Sequence, residues 1–271
     1  MRWRVSGLDI GAYAAGFCAY AACLLVLAPA TLLDVGLQRA SNGRLRLAEA
    51  QGTLWSGTGQ FEIRDATGRN GVGKNLSWHF QPHSLLRGRL GFAVELGQAA
   101  KRFSLSISPL RLEIADADLV FPASALGLAI PRLALVEPTG DLFVHMPSLS
   151  FADGAMLGTV IVEWRAAGSS LTPVSPLGDY ELRLDGEAGG VNASLRTSKG
   201  PLYLEGKGSR GKVGPPIFFA TARIEAQYQR QLAPFLRLIA IEHGDGSFAL
   251  QLNQNNTGRT PGGAIRQLQT E

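Results

Sequence analysis

The sequence predicts a mainly β protein: one N-terminal transmembrane helix, then an antiparallel, curved β-sheet region built of two similar modules, with a short helix near the C-terminus. Three observations predict it. Residues 10–33, "IGAYAAGFCAYAACLLVLAPATLL", carry no charge. Beyond them, alternation of apolar and polar residues with period 2 recurs about a dozen times, as half-covered strands require. Landmarks near residues 49–96 also return, in the same order, near 137–184.

The uncharged stretch comes first. About 20 apolar residues cross a hydrocarbon core. Arg2 and Arg4 precede the stretch and Asp34 follows it. That bias puts residues 1–9 in the cytoplasm and everything after residue 33 outside. Ala28-Pro29-Ala30 resembles a signal-peptide cleavage site. A secretory apolar region runs only about 7–15 residues, however, and this one is longer, so an uncleaved anchor is expected. Both cysteines, Cys18 and Cys23, lie inside it, so the exported part holds together without disulfides. Gly11 with Ala15, and Ala12 with Gly16, have the spacing of close helix approach, which allows self-association.

The exported region follows as residues 34–252. Strands are expected in "RLRLAEA", "GQFEIRD", "NLSWHF", "GRLGFAVEL", "RFSLSIS" and "LRLEIADADLVF". They continue in "DLFVHMPSLSF", "GTVIVEWRA", "GDYELRLDGEA", "VNASLRTS", "GPLYLEGKGS", "FFATARIEAQ" and "GSFALQLNQ". Gly, Pro, Ser and Asn separate them, which reads as antiparallel pairing with one covered face. Two segments read as helical: "SALGLAIPRLAL", broken by Pro131, and "YQRQLAPFLRLIAIEHG", residues 228–244, with Pro234 early in it. Residues 253–271 are polar and Gly-rich, as a disordered tail would be.

The self-resemblance pairs "EAQGTLW" (49–55) with "EPTGDLF" (137–143), Trp78 with Trp164, and Gly88 with Gly178. Repeats over about 44–130 and 131–215 are expected, each unable to bury its apolar face alone.

Composition excludes some functions. A net charge of +4 is mild for 271 residues, and no Lys/Arg stripe with interleaved aromatics marks a nucleic-acid partner. The four histidines, His79, His83, His145 and His243, show no metal-ligand spacing, since Pro82 separates the nearest pair. Alternation puts Asp116 and Asp118 on one side of their strand, with Glu113 nearby, as solvent-facing positions. No nucleophile elbow and no phosphate-loop lysine occurs. "GTGQ" leads into a strand pattern, so it cannot aim a helix N-terminus at a phosphate. Gly52 and Gly57 instead suit the corner of a β-module, with Leu54 towards the core. Trp55 then points the other way by alternation, or inward if a bulge sits at Ser56-Gly57.

"GTLWSG" (52–57), "LSWHFQPHSLLRGRL" (76–90), "SPLGDYEL" (175–182) and "GPLYLEGKG" (200–208) together resemble protein N of the type II secretion system, the general secretion pathway protein N family. The motif positions are Gly52, Leu54, Trp55, Gly57, Trp78, Pro82, Leu85, Leu86, Gly88, Trp164 and Gly178. After Trp164 the second module lacks the Trp-x-x-x-Pro spacing, with Pro173 well downstream. The resemblance implies an accessory component of the cell inner membrane, single-pass, with its bulk in the periplasm. It would support export of folded proteins through contacts with other inner-membrane and periplasmic secretion components. It implies no enzyme activity, no catalytic residue, no cofactor and no metal. The alternative is an AsmA-like periplasmic β-groove that binds or transfers lipid.

Overall fold

The computed structural model describes residues 7–65, 71–97, 101–212, 214–237, 240–243 and 247–251. The tail expected over 253–271 and most of the cytoplasmic segment expected over 1–9 lie outside these. Fourteen strands form one antiparallel sheet. They are β1 (Leu45–Gly52), β2 (Ser56–Arg64), β3 (Gly71–Gln81), β4 (Leu90–Leu96), β5 (Phe103–Ser108), β6 (Arg111–Pro122) and β7 (Pro138–Ala152). The rest are β8 (Ala155–Ser169), β9 (Gly178–Glu187), β10 (Gly190–Lys199), β11 (Leu202–Gly211), β12 (Ile217–Ile224), β13 (Ile241–Glu242) and β14 (Phe248–Gln251). Each of β1 to β11 pairs with the next in sequence, β12 pairs with β14, and β13 lies outside β14. Short Gly-, Pro- and Asn-bearing links permit no other arrangement. Every expected strand is present.

Alternation sorts the two faces. On one, Leu47 lies opposite Phe61, Val94 opposite Trp78 and Phe103, and Leu142 opposite Phe121 and Trp164. Leu182 opposite Leu195 and Leu204 opposite Ala222 continue it to the far edge. The other face carries ion pairs, among them Arg64–Glu62, Arg183–Asp185 and Arg196–Glu181. The last two are exposed and contribute solubility more than stability, while Arg64–Glu62 is half-buried.

Bulges bend the sheet. β7 slips against β8 between His145 and Ser148, and beside that slip Asp116 in β6 has φ of 56°, although the β6–β7 register continues from Ala115–Ser148 to Ala117–Met146. Apolar positions change from even to odd there, from Ile114 to Ala117 and Leu119. Asp116 is exposed and Asp118 lies partly exposed beside His145, as solvent-facing positions require.

Helices cover the apolar face at two places. Helix α2 (Thr31–Ala40) packs Leu33 and Leu37 on a core of Ala30, Leu47, Trp78 and Val94. At the other end α5 (Gln229–Leu236) buries Leu232, Phe235 and Leu236 against Val136, Leu202, Ala222 and Phe248. Between them α3 (Ser124–Ala129) and α4 (Pro131–Ala134) follow β6. Extended Ile130, constrained by Pro131, separates that pair. The C-terminal helix is shorter than expected: it ends at Leu236, and Ile241–Glu242 forms β13.

The N-terminal element is also corrected. Residues 10–33 do not form one helix. Helix α1 (Gly7–Val26) stops, and α2 starts at Thr31. Between them Ala28 and Ala30 are buried and Pro29 bridges Thr53 of the sheet. Among the described residues, no helix is long and apolar enough to cross a membrane. Pro29 explains the break. It has no N–H to give to the carbonyl of Leu25, four residues earlier, and its ring obstructs that turn.

Candidate functional site

The corner between β1 and β2 receives the end of α1. Pro29 cannot donate to the Leu25 carbonyl, which accepts from the Ala28 N–H at 3.4 Å and, more closely, from the indole N–H of Trp55 at 2.9 Å. The Leu54 N–H donates to the Ala28 carbonyl at 2.8 Å, and the Ala30 N–H to Gly52 at 3.2 Å. Leu54 and Trp55 are both half-buried, and Trp55 meets Phe80 edge-on at 5.1 Å. The ladder irregularity nearest this corner lies in β1, between Ala48 and Gln51, with Glu49 at φ 52°. A bulge at Ser56-Gly57 is therefore corrected to one strand earlier.

Trp78 holds the corner from below. It is 4% exposed, and its indole N–H reaches the carbonyls of Leu54 (3.2 Å) and Thr53 (3.3 Å). To do so the ring lies across β2 at Gly57. A Cβ at Gly57 would come within 2.6 Å of that ring and 2.3 Å of the Gln51 carbonyl. The "GTG" stretch thus makes room for an indole.

The second landmark set forms a second corner. Trp164 donates to the Thr139 carbonyl at 2.9 Å, 25 residues back, as Trp78 does to Thr53. Trp164 is half-buried and stands 5.9 Å from Tyr180. Gly178 opens β9 and is buried. Burial raises Asp179, but the Ala166 N–H and the cations Lys199 and Arg165 outweigh it and hold its carboxyl below the usual value. Burial, with the Asp179 charge, pushes the Tyr180 hydroxyl up, and it donates to the Leu202 carbonyl at 3.0 Å.

Pro82, Leu85, Leu86 and Gly88 form a separate feature. Pro82–Arg87 is a 3-10 helix with Pro in its first turn and Gly88 closing it at φ 67°. Leu85 and Leu86 are exposed. Gly52 and Gly88 therefore differ in cause. A Cβ at Gly52 (φ 95°) would lie 2.5 Å from the Ser56 carbonyl, while one at Gly88 would meet nothing within 4 Å. Gly88→Asn is expected to shift the melting temperature little, because Asn tolerates a left-handed backbone. Gly52→Asn is expected to lower stability by about 2 kcal/mol or more, since strain and backbone overlap add. Equal melting curves for the two variants would overturn that distinction.

The free edge of β1 is covered. Asp34 accepts from the Leu47 N–H at 2.9 Å and Ser41 from the Leu45 N–H at 2.9 Å. Burial raises Asp34, but the Leu47 N–H with Arg46 and Gln38 outweighs it and keeps the carboxyl below its usual value.

Two larger surfaces remain. The apolar face between the two cores is open: Leu112, Ile114, Val144, Val162 and Leu182 are half-buried and belong to neither core. On the polar face a depression of about 890 Å³ is lined by Arg196, Tyr203, Glu205, Lys207, Phe219 and Arg223. Away from this depression, on β6 and β7, Asp118 pairs with exposed His145. Among the described residues no group of three His, Cys, Asp or Glu could hold a metal. Sequence reasoning missed what Trp55 bonds to. The signal was Pro29, which withholds the helical donor from the Leu25 carbonyl, but only the fold brings the indole to it.

A family model described as "Type II secretion system (T2SS), protein N" matches residues 43–251, about three quarters of the chain. No curated protein and no solved structure matches.

Proposed function

The chain belongs to the type II secretion system protein N family, and from that premise we propose that it is an accessory, membrane-anchored scaffold of the secretion machine. Helix α1 is the anchor in the inner membrane, its N-terminus cytoplasmic and the sheet in the periplasm, where it touches other secretion components. The observation that carries this reading is the exposure of α1. Every residue from 13 to 27 is exposed, including Tyr13, Phe17, Tyr20, Leu24 and Leu25. An apolar helix that packs on nothing in its own domain needs another apolar surrounding. Its uncharged part, residues 10–26, lies at the short limit of a membrane span. Buried Ala28 and Ala30, tied to Leu54 and Gly52, favour an uncleaved segment.

With the β1 edge covered by Asp34 and Ser41, partners reach the sheet through its faces more readily than by adding a strand. The repeat modules over 44–130 and 131–215 are proposed on the two indole-to-carbonyl corners. A photocrosslinker at exposed His145, in the full chain and in cells, tests the scaffold. Adducts with inner-membrane or periplasmic secretion proteins are expected. A chain that forms none from either face, yet supports secretion, would sink it.

A second reading, a β-groove for lipid, is favoured by one observation, the open apolar face between the α2 and α5 caps. Native mass spectrometry of the purified chain separates them: bound lipid of fixed stoichiometry supports the groove, and a lipid-free domain removes it.

A further inference from the structure

The end of the sheet from which α1 leaves has a second apolar feature. Antiparallel succession brings the β1–β2 corner, the 3-10 helix after β3 and the β5–β6 turn to that same end. Leucines stand out from two of these links: Leu86 is 92% exposed, Leu85 52% and Leu110 79%. Leu90 and Ile107, opposite each other in β4 and β5, carry the apolar strip back onto the sheet face.

The leucines are held, not loose. Ser84 Oγ donates to the Gln81 carbonyl at 2.6 Å and accepts from the Gly91 N–H at 2.7 Å. The Gly88 N–H returns to the Leu85 carbonyl at 2.9 Å. The chain thus fixes two leucines outward on a braced turn, against the ordinary cost of hydrating them. Among the described residues no element of this chain lies over them.

The charges beside them have one dominant sign. Arg87, Arg89 and Arg111 surround the tips and are exposed. Glu113 is the carboxylate that meets them, bridging Arg89 at 2.5 Å and Arg111 at 3.2 Å. Arg87 has no ion pair among the described residues. Apolar tips ringed by arginines match a bilayer surface, with acyl chains below and anionic phosphates at the level of the guanidinium groups.

We propose that Leu85, Leu86 and Leu110 dip into the membrane beside α1, with Arg87, Arg89 and Arg111 at the lipid phosphates. The occupant is the anionic phospholipid bilayer in which α1 sits, so the inference rests on the anchor reading. Two attachments at one end of the sheet fix its tilt, where a single helix would leave it free to swing. Tethering by α1 raises the effective concentration of bilayer at the leucines, so a weak tip contact suffices.

The full chain with Cys18→Ala and Cys23→Ala receives one cysteine at position 20, 86, 110 or 170, each carrying an environment-sensitive fluorophore. It is reconstituted into phosphatidylethanolamine vesicles with about one quarter phosphatidylglycerol, with or without spin-labelled acyl chains. Loss of emission at 86 and 110, matching that at 20, with none at 170, is the expected result. Loss at 20 alone overturns the dip and leaves the anchor standing. Loss at 86 and 110 without 20 keeps the dip and removes the anchor. A blue shift that appears only in membranes carrying the whole secretion machine overturns the dip in favour of a protein partner. Leu86→Asp, which touches no core, is expected to melt like the parent and to lower emission loss at 110 severalfold; unchanged loss at 110 overturns the joint contact.

Discussion

Trp78→Ala lowers the stability of the N-terminal part of the sheet by about 3–5 kcal/mol, the range for removing a large buried aromatic. Three losses add. The indole leaves a cavity beside Leu47, Val94 and Ala30, a core against which α2 packs Leu33 and Leu37. The carbonyls of Thr53 and Leu54 lose their donor. Gly57 and Gly59, small because the ring and Leu47 lie against them, become unsupported glycines in a strand. Trp78→Phe separates these effects. It keeps most of the volume and loses the N–H, so about 1–2 kcal/mol of the total is expected from it. Hydrogen exchange gives the readout: amides of β1 to β4 lose protection. A Trp78→Ala chain with parental exchange there would show that the corner is held by α2 alone.

That corner shows what the sequence could and could not reveal. Alternation placed every strand from β1 to β12, because a sheet with one wet face must alternate. It could not place the bulge at Glu49 or the slip of β7 against β8 beside Asp116, where residues other than glycine take positive φ. The cause there is register against a neighbour, which local pattern does not carry. Hydropathy joined residues 10–33 into one span, since Ala28, Pro29 and Ala30 look as apolar as their neighbours. The burial of Ala28 and Ala30 under a strand corner depends on Gly52 and Leu54, roughly 24 residues away in sequence. The Trp-x-x-x-Pro-x-x-Leu-Leu-x-Gly stretch was legible as one motif. The structure splits it into a buried indole and two leucines facing outward. Conserving space for an indole and presenting leucines to a surface are different tasks, and spacing alone does not separate them.

Leu236→Ala is expected to cost about 2–5 kcal/mol at the opposite end of the sheet. Leu236 is 1% exposed and Leu232 0%, both on α5, and they close a core with Leu202, Ala222 and Phe248. No residue of that core belongs to the one around Trp78. In a sheet whose strands hydrogen-bond only to their neighbours, stability passes chiefly through adjacent pairs and weakens with distance. Leu236→Ala should therefore release protection in β11, β12 and β14 while β1 to β4 keep theirs, the mirror image of Trp78→Ala. The double variant should lose the sum of the two single losses within about 0.5 kcal/mol, as sites without shared partners do. A single cooperative melt in which either change loosens both ends would contradict this, and would mean that the open middle of the apolar face, between β5 and β10, is tied together by packing or by a bound occupant. The same experiment then bears on the lipid reading. If added phospholipid makes the two losses non-additive, the middle has been filled. If it does not, α2 and α5 remain two separate caps on one long sheet, each stabilising the strands it covers.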